Sequence, residues 1–482
     1  MPLSDTVQGA TAYLAAFNQT FKTHYVPGIV DKIKRHGRTT RFIELSKRPL
    51  DGMRMEFELK RFPNRGVTAT RDLMATMPAH RPGLFTRFQL RFDHTDPNAN
   101  DFMMLQAGVV TTLWDIEKKM DSMWKGDVNF IEKDIQEIID DFSEAMARHV
   151  HLPTDGKLAT IAGIKNDNVF TYSSATSYTT GNTTAAIQVD ATSMAKLAEG
   201  QFIEIRSAAG ALRRNNIRIT SCQPHQKVIH VQATADTVDG GGAAALNFNS
   251  VAATDVVYIS GSYNVGVPGS LNGFFDETVA YFRDTSGNAI TRTGAQNPTY
   301  KQLMPYRIAT AAANTDLTES HLRSVGELLA HKEGDGNAVV RRLAIMARDG
   351  YNQMVKLGKD SATRLIPALE SQVGQQLNLA FGFDGYVFHD PNIGPIAAVV
   401  DDFAEYGKIR FLDREDWEIA IPSAGTGTVR WAPGPIAGQW FQMPATDGTP
   451  TLKYAARAFM PFALVCTWPT NQVEISGLNI NA

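Results

Sequence analysis

Two strongly alternating stretches on either side of a long basic loop constrain this chain more than any other feature. Met53-Arg-Met-Glu-Phe-Glu-Leu-Lys60 is apolar at every odd position and charged at every even one. Arg87-Phe-Gln-Leu-Arg-Phe-Asp93 repeats the pattern with Phe88, Leu90 and Phe92. Successive side chains of a strand point to opposite faces, so each stretch carries one apolar face, as half-buried antiparallel strands do. The loop from Arg61 to Thr86 is far longer than a hairpin turn, and loops of that length are usually functional or disordered. A two-stranded ribbon alone is marginal in water, so its apolar face needs another surface. The expected surface is a neighbouring copy, which would make the protein a building block of an assembly.

Composition permits this without requiring it. A chain of 482 residues with 43% hydrophobic content has room for two or three cores. Its net charge of -3 and pI near 6.4 set up no global field toward nucleic acid or an anionic membrane. Cys222 and Cys466 are far apart and form no Cys-x-x-Cys, so neither a disulfide framework nor a thiolate metal site is indicated. Met1-Pro-Leu-Ser-Asp lacks the regions of a signal peptide. No apolar run reaches the ~18 residues of a membrane helix. The expectation is a soluble product of a reducing, cytosolic compartment with no membrane partner.

Five regions follow in order. Residues 1–50 read as an arm with an extended exit, and 51–97 as the extended loop. Residues 98–164 read as helical from Asp101 to Val150, with an interruption near Gly126. In the second helix Ile131, Ile135, Ile138, Phe142, Ala145 and His149 form one stripe. Glu132, Asp134, Glu137, Asp140, Asp141 and Glu144 occupy much of the rest, and the segment would span roughly 35 Å. From 165 to 261 short alternating runs recur, such as Phe202-Ile-Glu-Ile-Arg and Val228-Ile-His-Val, with turn signals at Gly200 and Gly210. This stretch is expected to be an inserted all-β domain, a sandwich or barrel. Residues 262–482 mix helix and strand: a helix over Leu317–His331, strands at Arg342–Ala347 and Lys408–Leu412, and a β-rich end. The class is α+β.

The sequence offers little catalytic chemistry. His149 and His151 would converge on a metal only in extended backbone, and histidines at a helix end commonly complement its dipole. His389-Asp390 sits in ordinary turn text, Asp-Pro-Asn. The acidic helix residues spread over too wide an arc to meet at one point, which suits a solvated face. Gly240-Gly-Gly and Gly425-Thr-Gly-Thr lack the lysine of a phosphate loop and the dinucleotide fingerprint, and no Gly-x-Ser-x-Gly elbow occurs. No catalytic, metal or cofactor residues are expected.

Taken in order, these elements resemble the major capsid proteins of tailed bacteriophages: an arm, an extended loop, a spine helix, then mixed α/β ending in a strand. Tyr386-Val-Phe-His-Asp-Pro-Asn-Ile-Gly-Pro-Ile-Ala-Ala-Val-Val-Asp resembles the strand–turn–strand of that family's axial domain. Lys408-Ile-Arg-Phe-Leu-Asp resembles a strand of the same domain. Arg457-Ala-Phe-Met-Pro-Phe-Ala-Leu-Val-Cys-Thr-Trp-Pro resembles the closing strand. The likeness covers nearly all of the chain outside the β insert. It departs from the pattern in having little ahead of the arm where a fused scaffolding region would stand.

The resemblance implies the phage major-capsid fold, with peripheral and axial domains and no enzymatic activity. It implies self-assembly as hexamers and pentamers into an icosahedral shell around double-stranded DNA. Portal, scaffolding and decoration proteins would be partners, and the virion, assembled in the host cytoplasm, the location. Arg61, Arg65, Arg71 and Arg81 at the loop tip would reach over a neighbouring subunit. Glu132, Asp134, Glu137, Asp140, Asp141 and Glu144 would face the DNA and repel it from the wall, or simply solvate the helix. Two other classes remain: an encapsulin-like compartment, and a glycan-binding surface protein acting through the insert. The latter predicts aromatic platforms, and the insert holds few aromatics, among them Phe202, Phe248 and Tyr258.

Overall fold

A computed structural model describes residues 38–49, 54–58, 87–92, 101–112, 140–152, 156–165, 183–190, 196–223, 227–234, 237–239, 248, 251–261, 263, 269–277, 281–290, 292, 303–310, 315–330, 342–360, 365–367, 386–390, 394–423, 430–431, 440–444 and 450–479. Among them the strands form four sheets, one of them closed.

The alternating stretches pair as expected. Strands β2 (Arg54–Glu58) and β3 (Arg87–Arg91) run antiparallel with Met55 opposite Leu90 and Phe57 opposite Phe88. The apolar face, however, is buried inside the chain and not by a neighbour. The ribbon is extended by β11 (Phe282–Arg283) and β12 (Ala289–Ile290) into a four-stranded sheet. Phe57 stacks on Phe88 at 5.3 Å, and Phe88 meets the edge of Phe282 at 4.6 Å. Phe274 continues the row to Phe282 and to Trp417. Arg283 grips Asp101 with two hydrogen bonds of 2.6 and 2.9 Å, and Asp101 also accepts from the Arg91 amide. The expectation of an intersubunit apolar face is thereby corrected: β11, contributed from about 190 residues downstream, supplies the missing surface.

A second correction concerns the start of the region expected to be helical. Residues Met103–Thr112 form strand β4, paired along its whole length with β22 (Pro450–Cys466) from Met103–Phe462 to Thr112–Lys453. Met, Leu, Gln and Ala favour helix in isolation, but a ten-residue ladder outweighs that weak preference. At 17 residues β22 is about 55 Å long. It also pairs with β19 (Trp417–Ser423), β20 (Arg430–Trp431) and β21 (Trp440–Pro444). Parallel to β19 lies β1 (Glu44–Pro49), which follows helix α1 (Arg38–Phe42).

Helix α2 is described over 140–149. Its buried face is Phe142, Met146 and Val150, with Ala147 beside it. The expected stripe through Ala145 and His149 is therefore rotated, and both those residues are only half-buried.

The stretch expected to be all-β contains a closed barrel in the order β10-β5-β6-β9-β8-β7. Its strands are β5 (Lys157–Lys165), β6 (Thr184–Val189), β7 (Phe202–Arg206), β8 (Leu212–Gln223), β9 (Val228–Ala233) and β10 (Val256–Ile259). The boundary at 165 is corrected to the start of β5, whose Leu158, Ala159 and Ile161 are core residues. Alternation fills the interior with Ile187, Ile203, Ile205, Ile217, Ile219, Ile229 and Val257, all fully buried. The β7–β8 turn uses Gly210 at φ 89, where a side chain would strike the Tyr263 hydroxyl.

The remaining lobe is a mixed seven-stranded sheet, order β13-β23-β18-β14-β17-β16-β15. These are β13 (Tyr306–Ala309), β14 (Arg342–Met346), β15 (Leu365–Pro367), β16 (Tyr386–Asp390), β17 (Gly394–Val400), β18 (Lys408–Asp413) and β23 (Val473–Ser476). Helices α4 (Glu319–Ala330) and α5 (Arg348–Asp360) accompany it, and Leu322, Val325, Leu329 and Met354 pack with Ala344, Ile409 and Ile475. A short helix, α3 (Leu271–Phe275), is capped by Ser270 at its start. At its end the buried Arg292 donates to the carbonyls of Gly273, Phe274 and Asp276. Burial lowers that guanidinium's pKa to about 10. Among the described residues the buried side chains form two clusters, and the larger joins ribbon, barrel and long-strand sheet.

Candidate functional site

The most concentrated polar chemistry in the described residues lies where arm, α2, barrel and seven-stranded sheet converge. The loop after β17 supplies two carboxylates, Asp401 and Glu405. Asp401 Oδ2 accepts from the Thr39 amide at 2.8 Å and from the Thr39 hydroxyl at 2.5 Å. His151 Nε2 lies 3.4 Å from that same oxygen and 3.0 Å from the Thr39 hydroxyl. Burial alone would raise the Asp401 pKa, but the His151 charge and the hydrogen bonds from His151 and Thr39 hold it well below the carboxylate range.

Four residues on, Glu405 receives Lys408 at 2.6 Å, Arg410 at 3.2 Å and the barrel's Lys196 at 3.9 Å. Burial opposes its charge, yet Lys408, Lys196 and Arg410 together bring its pKa down to about 2. Burial conversely lowers the Lys196 pKa, against the pull of Glu405. Arg410 also binds Glu474 Oε2 at 2.8 Å, and its Nη2 donates to the side chain of Asn272 on α3. Asn272 in turn donates to the His151 carbonyl at 2.7 Å.

A neighbouring network joins the two large sheets. Asn471 donates to Asp413 and Asp416 at 2.8 Å each and accepts from Arg342 at 2.9 Å, while Gln472 accepts from the Trp417 indole at 3.0 Å. These groups bond one another and are shielded from water. Their geometry suits fixing the elements relative to each other. The Thr39 hydroxyl is fully buried, and it and the Asp401 carboxylate both meet the same imidazole nitrogen, His151 Nε2. Among the described residues no three His, Cys, Asp or Glu side chains are grouped to hold a metal.

Of the residues singled out from sequence, Arg61, Arg65, Arg71, Arg81, Glu132, Asp134 and Glu137 lie outside the described residues. Asp140 and Asp141 are exposed on α2. Glu144 is half-buried and ion-paired with Arg148 one turn later. His149 hydrogen-bonds the Ala145 carbonyl at 2.6 Å, and burial lowers its pKa to about 4. In the barrel Phe248 and Tyr258 are buried, leaving Phe202, 48% exposed, as the surface aromatic of the three named for a platform. Sequence reading missed Thr39, Asp401, Glu405, Lys196, Arg410 and Asn272. The one available signal was Arg410 and Glu474, each a charge between apolar neighbours in a strand.

No family model matches this chain, and no curated protein does. Solved structures do. The cyanophage A-1(L) capsid asymmetric unit matches at a TM-score of 0.39 and 9% identity, covering 94% of this chain and 93% of that one. The satellite phage P4 procapsid with its size determination protein matches at a TM-score of 0.38 and 9% identity, covering 99% and 98%. An encapsulin from Synechococcus elongatus PCC 7942 also matches, at a TM-score of 0.24 and 10% identity, over 36% of this chain and 54% of that one.

Proposed function

We propose that this chain is the major capsid subunit of a tailed phage, assembling as hexamers and pentamers into an icosahedral shell around double-stranded DNA. One observation carries the proposal. The stretches that resemble the axial domain fall into one sheet, with β16 and β17 as an antiparallel strand–turn–strand and β18 two places away across β14. The closing stretch from Arg457 forms the second half of β22, in a separate sheet that also receives β1. That grouping supports the reading. No catalytic step is assigned.

On this proposal the loop tip, with Arg61, Arg65, Arg71 and Arg81, bridges to a neighbouring subunit, since the ribbon's own apolar face is already used within the chain. On the same proposal Glu132, Asp134, Glu137, Asp140 and Asp141 serve to repel the packaged DNA. Glu144 contributes less because Arg148 neutralises it. Portal, scaffolding and decoration proteins are the remaining partners, in the virion. The test is sedimentation and electron microscopy of the purified chain, alone and co-expressed with phage assembly proteins. Closed shells support the proposal. A monodisperse monomer at high concentration under both conditions rejects it.

A further inference from the structure

The junction contains a feature that a set of independent contacts would not need: single atoms shared between elements. Asp401 Oδ2 is shared by the arm, through Thr39, and by the end of α2, through His151. Arg410 Nη2 is shared by Asn272 on α3 and by Glu405. Asn272 closes the gap between them, donating to the His151 carbonyl while accepting from Arg410. Glu405 then reaches Lys196 in the barrel. Thr39, His151, Asn272, Arg410 and Lys196 are each at most 7% exposed. We propose that this continuous polar chain is a coupling device, by which the anchorage of the arm depends on the seating of the barrel and the reverse.

The coupling follows from charge balance in a water-poor site. Glu405 is neutralised by Lys408, Lys196 and Arg410 together. Without Lys196, Arg410 is drawn further toward Glu405, and its shared Nη2 is pulled from Asn272. Asn272 then holds the His151 carbonyl less firmly, and His151 is one of two partners at the oxygen that retains Thr39. His151, Asn272 and Arg410 are at most 7% exposed and Glu405 17%, so water replaces little of what is lost and a loss at one end is passed along the chain. A second route runs through the backbone of the Asp401–Glu405 turn, where the Asp401 carboxylate also accepts from the Phe403 amide at 3.0 Å. The two ends are thus linked by hydrogen bonds and by covalent chain. The coupling belongs to the single subunit and holds whether or not shells form.

The test is hydrogen exchange, read peptide by peptide on the full-length unassembled chain. Lys196→Met is expected to speed exchange of the arm residues 38–49, which Lys196 does not touch, by about 2- to 30-fold, the range of couplings carried through such networks. Lys196→Arg, which keeps the charge, is expected to restore slow exchange there. Thr39→Val approaches from the other end and removes only a hydroxyl. It should speed exchange in the barrel segment 196–206 while leaving β8 and β9 protected. If Lys196→Met acts only within the barrel and Thr39→Val only within the arm, the coupling is refuted. An even rise across all peptides in both variants also refutes it, because that pattern marks general loosening without a path. Should Lys196→Met fail to fold, Thr39→Val and Glu405→Gln carry the same decision.

Discussion

In the barrel, six strands close on themselves and hide their apolar side chains in a shared interior. In the ribbon, two alternating strands hide theirs only because β11 brings Phe282 against Phe88, backed in turn by Phe274 of α3 and Trp417 of β19. The patterns look alike in sequence, and neither reveals what covers the apolar side. Closure removes sheet edges, so the barrel strands pair only with one another, although their apolar residues still join the larger core cluster. The ribbon instead belongs to the core of the subunit, with its charged outer face turned to solvent.

The largest effect should come from cutting the barrel at the wrong place. Deleting 166–260 leaves β5 behind, with Leu158, Ala159 and Ile161 stripped of their partners. Deleting 157–259 removes every strand of the closed sheet. The shorter deletion should aggregate and the longer one remain a soluble species by size-exclusion chromatography. Equal solubility of both would mean that β5 belongs to the body and not to the barrel.

Next comes the ribbon. Phe88 is fully buried between Phe57 and Phe282, so Phe88→Ala should destabilise the unassembled subunit by about 3–5 kcal/mol. Urea unfolding of the isolated subunit measures it. Were the ribbon's apolar face an intersubunit surface, the isolated subunit would lose almost nothing and only assembly would suffer. Ile229→Ala inside the barrel should cost about 2–5 kcal/mol, with exchange accelerating mainly in the barrel strands.

What sequence revealed divides along the same line. Alternation and β-branched runs located β6 to β10, as well as β14, β16, β17 and β18, because those signals are local. Strand β5 escaped because Ala159, Ala162 and Gly163 dilute its pattern. Strand β4 was misread as helix because its identity is set by β22, some 350 residues away. The junction was invisible for the same reason. Thr39 and Asp401 are 362 positions apart, and neither sits in a motif. Asp401 follows β17 as an ordinary turn residue, and only the fold reveals the arm that it holds.

Acid should act on the junction before it acts on either alternating sheet. Glu405 is held to a pKa of about 2, below its ordinary value of 4.5, and Asp401 is likewise depressed. A depressed carboxylate stabilises the fold above its unfolded pKa, and that contribution is lost as pH falls through its folded value. Stability should therefore decline from about pH 4.5 downward. Glu405→Gln should flatten that decline while lowering stability at neutral pH. Thermal melting across pH 2 to 7 distinguishes the two, and an unchanged acid limb in Glu405→Gln would remove Glu405 from the account.

The smallest effect belongs to the ribbon's outer face, which separates its two sides most sharply. Arg87 on β3 reaches across to Glu58 at 3.0 Å and Glu56 at 4.0 Å, with 55% of its side chain exposed. Water screens both ions, and holding two long side chains in register costs entropy. Exposed pairs of this kind contribute only about 0–1 kcal/mol. Arg87→Ala should therefore shift the urea midpoint of the subunit barely at all, one residue away from Phe88, whose loss should be among the costliest in the chain. Salt at high concentration should erase even that small shift. If Arg87→Ala proves as damaging as Phe88→Ala, the charged face is itself packed against something, and the ribbon is covered on both sides. If it leaves subunit stability intact but slows assembly, the outer face is where a neighbour comes to rest, and the intersubunit role moves from the loop tip down onto the ribbon.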